Sequence, residues 1–302
     1  MQKILIIGGC GYIGSKLFIH LTKQKYFVDT VDITWFGNNV NPNNIILDYK
    51  SLTKAFLKKY DVIILFAGHS SVAMCENAMI ASFENNIHKF LTLLEKIDTQ
   101  KFIYASSSGI YGSTGKRLME EDEDRYIPTN YYDLTKKTID YYAQLSHIQY
   151  YGLRFGTVNG GSPNLRTDLM INKMYLTSQK TGKIIITNKK VLRPILGIQD
   201  LCRAVVSIIE KEGTRGIYNI ASFNSSVGEI ATAVAQELKG IEIVDNGEKD
   251  LQKVYDFAIS TEKFEKTFDF LFTDTVKSII MSLQEKKKKV LYSERLKRKD
   301  EN

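Results

Sequence analysis

One stretch decides the fold of this chain: KILIIGGCGYIG, residues 3–14. Its short apolar run predicts a buried strand, and its glycines follow at the spacing G-x-x-G-x-x-G. The first glycine of such a loop permits a tight turn, the second lets the backbone approach a pyrophosphate, and the third lets a helix pack closely on the strand. The helix that follows would present free N–H groups and the positive end of its dipole to phosphates. The stretch therefore predicts a dinucleotide site that includes Gly8, Gly11, Tyr12, Ile13 and Gly14.

The N-terminal part of the chain alternates short apolar runs with helix-like segments. Fully apolar runs of this length suit parallel strands that are buried on both faces. Strand, helix and strand repeated in this way predict an α/β fold, a doubly wound parallel (Rossmann) sheet with right-handed crossovers. The predicted strands are Lys3–Ile7, Phe27–Val31, Val62–Phe66, Lys101–Tyr104 and Gln149–Leu153, and the predicted helices are Tyr12–Lys25, Ser51–Tyr60, Glu76–Ile97 and Asn130–Ser146.

After Arg154 the pattern changes, because glycines and Pro163 interrupt it. The later segments predict a smaller C-terminal α/β substrate lobe that is interleaved with the last strands of the sheet. We place the dinucleotide-binding domain at residues 1–155, with 191–212 returning to it, the lobe at 156–190 and 213–284, and a basic tail at 285–302. The segments after residue 156 are predicted as helices Asp168–Gln179, Asp200–Glu210, Ser226–Leu238 and Phe270–Gln284, and strands Lys183–Thr187 and Ile217–Ile220.

The composition is that of a globular protein, since 43% of the 302 residues are hydrophobic and 25% are charged. No apolar run approaches the roughly 18 residues that span a bilayer, so no membrane span is predicted. Three separated cysteines form neither a disulfide framework nor a metal-ligand cluster, so we predict a cytoplasmic protein without a metal.

Residues 284–302 carry eight basic and four acidic side chains, +4 of the net charge of +7. Such a run is typical of a solvated chain end, and on that interpretation we predict no nucleic-acid partner. Contact of the tail with a membrane or nucleic acid is the alternative.

Asp32 ends the second predicted strand, 18 residues beyond Gly14. A carboxylate at this position accepts hydrogen bonds from the adenosine ribose hydroxyls and repels a 2′-phosphate. No arginine lies between Asp32 and Asn44, so the predicted cofactor is NAD rather than NADP. Asp48 and Tyr49 follow the next apolar run, and we place both at the cofactor, with Asp48 near the adenine amine.

Tyr132 and Lys136 lie four residues apart, which puts them on one face of a helix. A tyrosine titrates near pH ~10, and an ammonium at close range favours its phenolate, so the pair can act as acid or base near neutrality. The same lysine can bind the nicotinamide ribose. Upstream, Ser106-Ser107-Ser108 ends a central predicted strand, where open parallel sheets bind their ligands. One of these hydroxyls would hold a reacting substrate oxygen beside Tyr132.

Together these motifs resemble the extended short-chain dehydrogenases/reductases, in the branch of NAD-dependent nucleotide-sugar epimerases and dehydratases that includes the UDP-galactose 4-epimerase-like proteins. The resemblance runs from about Lys3 to Phe270. Counting back four residues from Tyr111, it assigns the catalytic hydroxyl of the family to Ser107, beside the catalytic Tyr132 and Lys136. It implies further cofactor contacts from Phe66, Ala67, Gly68 and Asn86.

Departures from the family pattern bear on the substrate. Family dehydratases place Asp and Glu directly after the catalytic hydroxyl, and here those positions are Ser108 and Gly109, which cannot supply a general acid and base. A usual arginine of the late lobe is Lys253 here, which replaces a bidentate phosphate contact with a point charge. The residues expected at the substrate, with Arg193 on its diphosphate, are Ser70, Ser107, Ser108, Thr157, Asn172, Arg193 and Lys253.

The resemblance implies an NAD-dependent nucleotide-sugar epimerase, and a 4-epimerase is the leading hypothesis. Such an enzyme oxidises its substrate transiently to a 4-keto sugar and then returns the hydride. A nucleotide-sugar 4-ketoreductase would use the same residues, and a dinucleotide-sensing protein without catalysis is a third hypothesis. Retained NAD suits the redox-neutral cycle, so Asp32 favours the epimerase. The resemblance also implies a homodimer that is formed by the helices predicted at Glu76–Ile97 and Asn130–Ser146.

Overall fold

The computed structural model describes residues 2–248 and 254–285. Its strands are β1 (Lys3–Ile7), β2 (Phe27–Val31), β3 (Val62–Leu65), β4 (Lys101–Ser107), β5 (Arg117–Leu118), β6 (Gln149–Phe155), β7 (Thr157–Asn159), β8 (Lys183–Ile186), β9 (Leu192–Gly197), β10 (Gly216–Ile220), β11 (Phe223–Ser226), β12 (Glu242–Asp245) and β13 (Ala258–Ile259). Its α-helices are α1 (Tyr12–Lys23), α2 (Lys54–Leu57), α3 (Val72–Asn77), α4 (Met79–Phe83), α5 (Lys89–Leu94), α6 (Tyr131–Leu145), α7 (Met170–Thr181), α8 (Ile198–Glu210), α9 (Val227–Leu238) and α10 (Glu262–Phe268), and residues 276–285 are also helical.

The centre of the fold is a six-stranded, all-parallel sheet in the order β10-β6-β4-β3-β1-β2. Successive residues of β1 alternate between two cores, because strand side chains point to opposite faces. Ile4 and Ile6 pack with α1 and α8, whereas Leu5 and Ile7 pack on the other face with α5 and α6. The sheet is therefore buried on both sides, and the predicted doubly wound α/β fold is confirmed.

The smaller lobe contains a three-stranded sheet in the order β11-β9-β7 and a parallel pair of β12 with β8. Its core includes side chains of α7, α9 and the helical segment 276–285. The structure differs from the predicted domain bounds at two strands. β10, predicted in the lobe, is an edge strand of the main sheet, where it pairs with β6 and buries its residues from Ile217 to Ile220. β9 belongs to the small sheet. Residues 191–212 were predicted to return to the main domain, and only their helix, α8, packs on the main sheet.

The long helix predicted at Glu76–Ile97 is divided in the structure. Ala78, at φ −147° and ψ 60°, separates α3 from α4, and a π-helical turn at Glu84–His88 joins α4 to α5. Such π-turns insert one residue into a helix and recur at functional sites. Here the turn buries Asn85, Asn86 and Ile87. None of the helices among the described residues is long and apolar enough to cross a membrane.

A buried ion pair fixes α6 to the end of the sheet. The Arg154 Nε atom on β6 donates to Asp140 Oδ2 on α6 at 2.9 Å, and both side chains are fully buried. The same carboxylate accepts hydrogen bonds from the hydroxyls of Tyr104 and Ser106 on β4, at 3.0 and 2.8 Å. The pair therefore joins the helix that carries Tyr132 to two central strands.

Replacement of Arg154 should destabilise the whole fold. In Arg154→Met, Asp140 would stay buried without its cation, and breaking a buried pair costs about 3–5 kcal/mol of unfolding free energy. Lys183 forms an exposed ion pair with Glu242 (3.0 Å), so Lys183→Met should cost less than about 1 kcal/mol. Urea denaturation followed by circular dichroism measures the unfolding free energy of both variants. Equal losses of unfolding free energy would contradict this role of the buried pair.

Candidate functional site

The glycine loop brings β1, α1 and the end of β3 into close contact. Gly8 has φ +90°, and a Cβ atom on it would lie 2.4 Å from the Ala67 amide nitrogen. A Cβ atom on Gly14 would lie 2.0 Å from the Gly8 carbonyl oxygen. A Cβ atom on Gly11 would meet only that same oxygen, at 3.4 Å, and the remaining space belongs to a cleft that Gly11 lines. Two of the glycines are thus required by packing, and the third leaves the start of α1 open to a ligand.

The cleft has a volume of about 440 Å³ and extends along the carboxyl ends of β1, β2 and β3. Asp32 lies at one end, where its Oδ2 accepts from the Cys10 amide at 2.9 Å and its Oδ1 accepts from the Thr34 amide at 2.7 Å. These two bonds fix the carboxylate beside the glycine loop. The predicted cofactor residues that line the cleft are Gly8, Gly11, Tyr12, Ile13, Gly14, Asp32, Asp48, Tyr49, Phe66, Ala67 and Gly68.

Asp48 and Tyr49 are held at the same end of the cleft by the π-turn and α5. Asp48 Oδ2 lies 2.7 Å from the Lys89 ammonium, and the Tyr49 hydroxyl donates to the Asn85 carbonyl at 2.8 Å. Burial alone would raise the pKa of Asp48, but the bonds from Lys89 and from the Lys50 amide outweigh it and hold that pKa below its usual value. The Asp48 carboxylate is therefore ionised at neutral pH.

Asn86 fixes the loop that follows β3 rather than lining the cleft. Its Oδ1 accepts from the His69 amide at 2.8 Å, and its Nδ2 donates to the His69 carbonyl and to Thr135 Oγ1, both at 3.1 Å. Thr135 Oγ1 in turn donates to the Tyr132 carbonyl at 2.8 Å. The amide therefore connects the loop to the helix that carries the predicted catalytic pair.

The structure brings Ser107, Tyr132 and Lys136 together at the end of β4. Ser107 lies close enough to the Tyr132 hydroxyl to lower its pKa. The Lys136 ammonium lies 5.8 Å from the centre of the Tyr132 ring and donates to the Ala105 carbonyl at 2.7 Å. Residue Ser107 also accepts from the Gly109 amide at 3.0 Å, which fixes the rotamer of its hydroxyl.

Burial opposes the charged forms of both Tyr132 and Lys136. It raises the pKa of Tyr132, and the adjacent Asp133 carboxylate raises it further, whereas Ser107 and Arg166 lower it. Burial also lowers the pKa of Lys136 to about 8. These pKa shifts favour a neutral phenol at Tyr132 in the resting protein, against the direction expected from the lysine alone.

Three of the expected substrate residues are already bonded within the protein. Asn172 is fully buried: its Oδ1 accepts from the Gly160 amide at 2.9 Å, and its Nδ2 donates to the Arg166 carbonyl at 2.9 Å. It therefore positions the loop between β7 and α7 and does not reach the cleft surface. The Ser108 hydroxyl donates to the Phe155 carbonyl at 2.7 Å. Ser70 lines the cleft and accepts from Arg166 through its carbonyl and its hydroxyl, at 3.2 and 3.3 Å.

Arg193 has a partly unsatisfied guanidinium. Its terminal nitrogens donate to the Tyr255 carbonyl at 3.4 Å and to Thr157 Oγ1 at 3.5 Å, which are long contacts. Its Nε is buried and has no hydrogen-bond partner among residues 2–248 and 254–285. Burial lowers the pKa of the guanidinium. Lys253, expected near Arg193, lies outside the described residues.

The sequence did not reveal a second wall of the cleft. Asn164 donates through Nδ2 to the carbonyls of Cys10 and Phe36, at 3.0 and 3.1 Å, and so connects the glycine loop to the segment after β2. Arg166 and Trp35 also line the cleft, and the Trp35 ring lies 5.5 Å from that of His69. Only the Gly-Gly-Ser-Pro stretch at 160–163 marked this region as a loop.

The residues of the cleft fit NAD on the structure itself. The open space at Gly11 leaves the N-terminus of α1 available to a pyrophosphate, which a bulkier residue would obstruct. Asp32 supplies an acceptor at one end of the cleft, whereas Ser107, Tyr132 and Lys136 are not among the described residues that line it and lie at the end of the neighbouring strand β4. Within the described part of the chain, no group of three or more His, Cys, Asp or Glu side chains is placed to hold a metal ion.

Comparison with known proteins gives the family. The NAD dependent epimerase/dehydratase family matches residues 4–221, and the chain belongs to this family. Membership confirms the resemblance found in the sequence and the prediction of NAD as the cofactor.

Relatives and solved structures agree with this assignment. Protein CapI of Staphylococcus aureus is 28% identical over 235 residues, 70% of each chain. A UDP-glucose 4-epimerase of Halalkalibacterium halodurans is 30% identical over 184 residues, 55% of this chain and about half (53%) of that protein. The structure of UDP-glucuronic acid 4-epimerase from Bacillus cereus, in complex with UDP-glucuronic acid and NAD, superposes with a TM-score of 0.82 at 22% identity. That superposition covers 95% of this chain and 99% of the other, and at this identity it shows the fold.

Two glycine variants should separate fold stability from cofactor binding. Gly14→Ala places a methyl group 2.0 Å from the Gly8 carbonyl oxygen, so it should lower the unfolding free energy by about 2 kcal/mol or more. Gly11→Ala has room within the protein and should leave stability within about 1 kcal/mol, but it should weaken NAD binding at least ~10-fold. Thermal unfolding and calorimetric titration with NAD measure the two effects. Equal loss of stability in both variants would contradict this division of roles.

Proposed function

We propose that the protein is an NAD-dependent nucleotide-sugar 4-epimerase. The observation that carries the proposal is that Ser107, Tyr132 and Lys136 lie together at the carboxyl end of β4, in the same sheet whose strands β1 and β3 end at the cleft that fits NAD. Ser108 and Gly109 follow the serine, so the acid and base of the family dehydratases are missing from those positions. A tyrosine that takes and returns one proton is sufficient for reversible oxidation of an alcohol.

The cofactor would lie in the cleft and reach the end of β4. The glycine loop and the start of α1 would bind the pyrophosphate, and Asp32 would accept from the adenosine ribose. Asp48 and Tyr49 would lie on the adenine side, and Lys136 would bind the nicotinamide ribose. NAD bound in this way supplies a hydride acceptor that later returns the hydride to the sugar.

The proton chemistry belongs to the side chains of this protein. Tyr132 would remove the proton of the sugar hydroxyl and return it, while Ser107 would hold the same oxygen. Because the resting Tyr132 is a phenol, it has to lose its own proton before it can act as a base. Ser107 and the positive charge of Arg166 both act in that direction. The Lys136 ammonium, 5.8 Å from the ring, adds to this effect when it is protonated.

The substrate class follows from Arg193 and from the relatives. The buried Nε of Arg193 offers a donor to a diphosphate oxygen, and its long contacts with Thr157 and Tyr255 are replaceable. UDP-sugars are the first candidates, because two of the similar structures are complexes with UDP-glucuronic acid and NAD. Dehydratases also occur among the relatives, such as the dTDP-D-glucose 4,6-dehydratase of Dictyostelium discoideum, 29% identical over 261 residues.

The activity should depend on the Tyr132 hydroxyl. Incubation with UDP-glucose and UDP-glucuronic acid, and then with dTDP-, GDP- and CDP-sugars, should give the 4-epimer of one of them without net consumption of NAD. Tyr132→Phe should lower kcat by about 10²–10⁴-fold, because it removes the acid–base group. Tyr131→Phe is the matched control: it is the neighbouring, exposed tyrosine and should retain activity. Product is measured by chromatography of the nucleotide sugars.

The outcomes of this experiment separate the competing hypotheses. Net oxidation of added NADH with a 4-keto sugar, without epimerisation, identifies a 4-ketoreductase. Equal turnover by the Tyr132→Phe and wild-type proteins would show that the catalytic assignment is wrong. Inactivity with the whole set of sugars, despite bound NAD, would favour the dinucleotide-sensing hypothesis.

We also propose a homodimer through α4 and α6. These helices pack side by side and leave large apolar side chains exposed, which marks an interaction surface. Ile80 on α4 is 71% exposed and Leu145 on α6 is 81% exposed. Leu134 and Tyr141, which precede Leu145 by eleven and four positions, are also exposed and continue the stripe along α6. Two copies of this surface would form a four-helix interface around a twofold axis.

Acidic substitutions among the exposed apolar side chains of α4 and α6 test the dimer. The wild-type protein should sediment as a dimer, and Ile80→Glu combined with Leu134→Glu should sediment as a monomer, since burying carboxylates without partners is costly. Ile185→Glu is the control, because Ile185 is equally apolar and 60% exposed but lies on β8 of the other lobe. Sedimentation equilibrium measures all three, and a monomeric wild-type protein would contradict the proposal.

A further inference from the structure

A buried carboxylate beside the catalytic tyrosine has no place in the mechanism so far. Asp133 follows Tyr132 on α6 and is only 1% exposed. Its Oδ2 accepts from Asn130 Nδ2 at 2.6 Å and from the Tyr255 hydroxyl at 2.5 Å. Its Oδ1 is buried without a hydrogen-bond partner in the part of the chain that the structure describes. A buried carboxylate with one unsatisfied oxygen costs stability, so a functional reason is expected for it.

The unsatisfied oxygen of Asp133 lies under the backbone that follows the catalytic serine. A Cβ atom on Gly109 would lie 2.3 Å from Asp133 Oδ1 and 3.0 Å from Ser107 Oγ. A side chain at position 109 and the carboxylate of Asp133 therefore exclude each other. The carboxylate occupies that volume beside the Ser107 hydroxyl, and Asp133 directly follows Tyr132 on α6.

The other oxygen of Asp133 connects α6 to the residues proposed to bind the substrate. Tyr255 donates to it from the segment that leads into β13. The guanidinium of Arg193 lies 5.6 Å from the centre of the Tyr255 ring and donates to the Tyr255 carbonyl. A continuous set of contacts thus runs from Arg193 through Tyr255 and Asp133 to Tyr132.

We propose that Asp133 is a positioning residue whose negative charge keeps Tyr132 protonated in the resting enzyme and whose bond to Tyr255 links that effect to Arg193. The proposal rests on the proposed function in one respect, since it takes Arg193 to be the diphosphate ligand. When Arg193 turns to a diphosphate, its contacts with the Tyr255 ring and carbonyl change, and so does the hydrogen bond that the tyrosine gives to Asp133. Loss of that bond favours the neutral form of Asp133, which removes the charge that opposes the phenolate.

The charges around both groups agree in sign with this assignment. Asp133 and Cys75 raise the pKa of Tyr132, Arg166 and Ser107 lower it, and Lys136 lies 5.8 Å from the ring. Burial raises the pKa of Asp133 itself, against the bonds from Tyr255 and Asn130. Asp133 is therefore the acidic group that can change the protonation of Tyr132, and its own charge depends on Tyr255.

The test measures the titration of Tyr132 directly. Asp133→Asn keeps the shape and the oxygen that accepts from Tyr255 but removes the charge, so the pKa of Tyr132 should fall by about one unit. Tyr255→Phe keeps the ring against Arg193 but removes the donor, and it should lower the pKa of Tyr132 by a smaller amount. The matched control is Asp29→Asn, because the Tyr60 hydroxyl also donates to Asp29 (2.8 Å), but on β2 and outside the catalytic cluster. NMR of ¹³Cζ-labelled tyrosine, assigned with Tyr132→Phe, follows the titration in the holoenzyme.

The same variants should shift the pH profile of kcat/KM. The profile should rise with pH as Tyr132 loses its proton, and Asp133→Asn should move this rise to lower pH by about one unit. A purely structural role would lower the rate at every pH without moving the profile. Unchanged NMR titration of Tyr132 in both Asp133→Asn and Tyr255→Phe would overturn the proposal, even with active enzyme. A shifted titration in a protein that converts no nucleotide sugar would support it and refute the proposed function instead. If Asp133→Asn does not fold, Tyr255→Phe decides alone.

Discussion

The site depends on how closely α1 approaches β1. The helix begins so near the strand that a methyl group on Gly14 would lie 2.0 Å from the Gly8 carbonyl oxygen, and one on Gly8 would lie 2.4 Å from the Ala67 amide. This contact joins the carboxyl ends of β1 and β3 to the start of α1. The same contact aims the N–H groups of α1 into the cleft, with Asp32 on one side and the loop at Phe66–Gly68 on the other. A larger residue at either glycine would open the cleft floor and separate these elements.

Much of the main sheet could be predicted from the sequence, because its signals are local. Fully apolar runs such as Val62–Leu65 have no polar face, and only a sheet that is covered on both sides accommodates them. The proposed catalytic residues could also be found from the sequence, since Tyr132 and Lys136 are related by helical spacing and Ser107 ends a strand. Their mutual contact follows from β4 lying next to β6 and under α6, which the alternation of strands and helices already implies.

What the sequence did not reveal depends on contacts between distant segments. Strand β10 looks like any short apolar run, and its place beside β6 is decided by pairing across more than sixty residues. Asn172 carries a polar side chain near the start of α7, and we expected it at the substrate, but the Gly160 amide and the Arg166 carbonyl satisfy it inside the protein. The break at Ala78 and the π-turn at Glu84–His88 have no strong local signal, because every residue there tolerates a helix.

The fold controls the protonation of Tyr132, the tyrosine that we propose as the acid–base group. A reaction that is redox-neutral overall needs one group that first accepts a proton and then gives the same proton back. A tyrosine whose pKa was lowered strongly would be a weak base in the first half, and one whose pKa was raised strongly would be a weak acid in the second. Burial of Tyr132 beside Asp133 raises the pKa and so strengthens the phenolate as a base, while Ser107 and Arg166 limit the rise and so keep the phenol able to return the proton. The fold therefore balances opposing influences on one hydroxyl, which suits a group that acts in both directions better than it suits a one-way base.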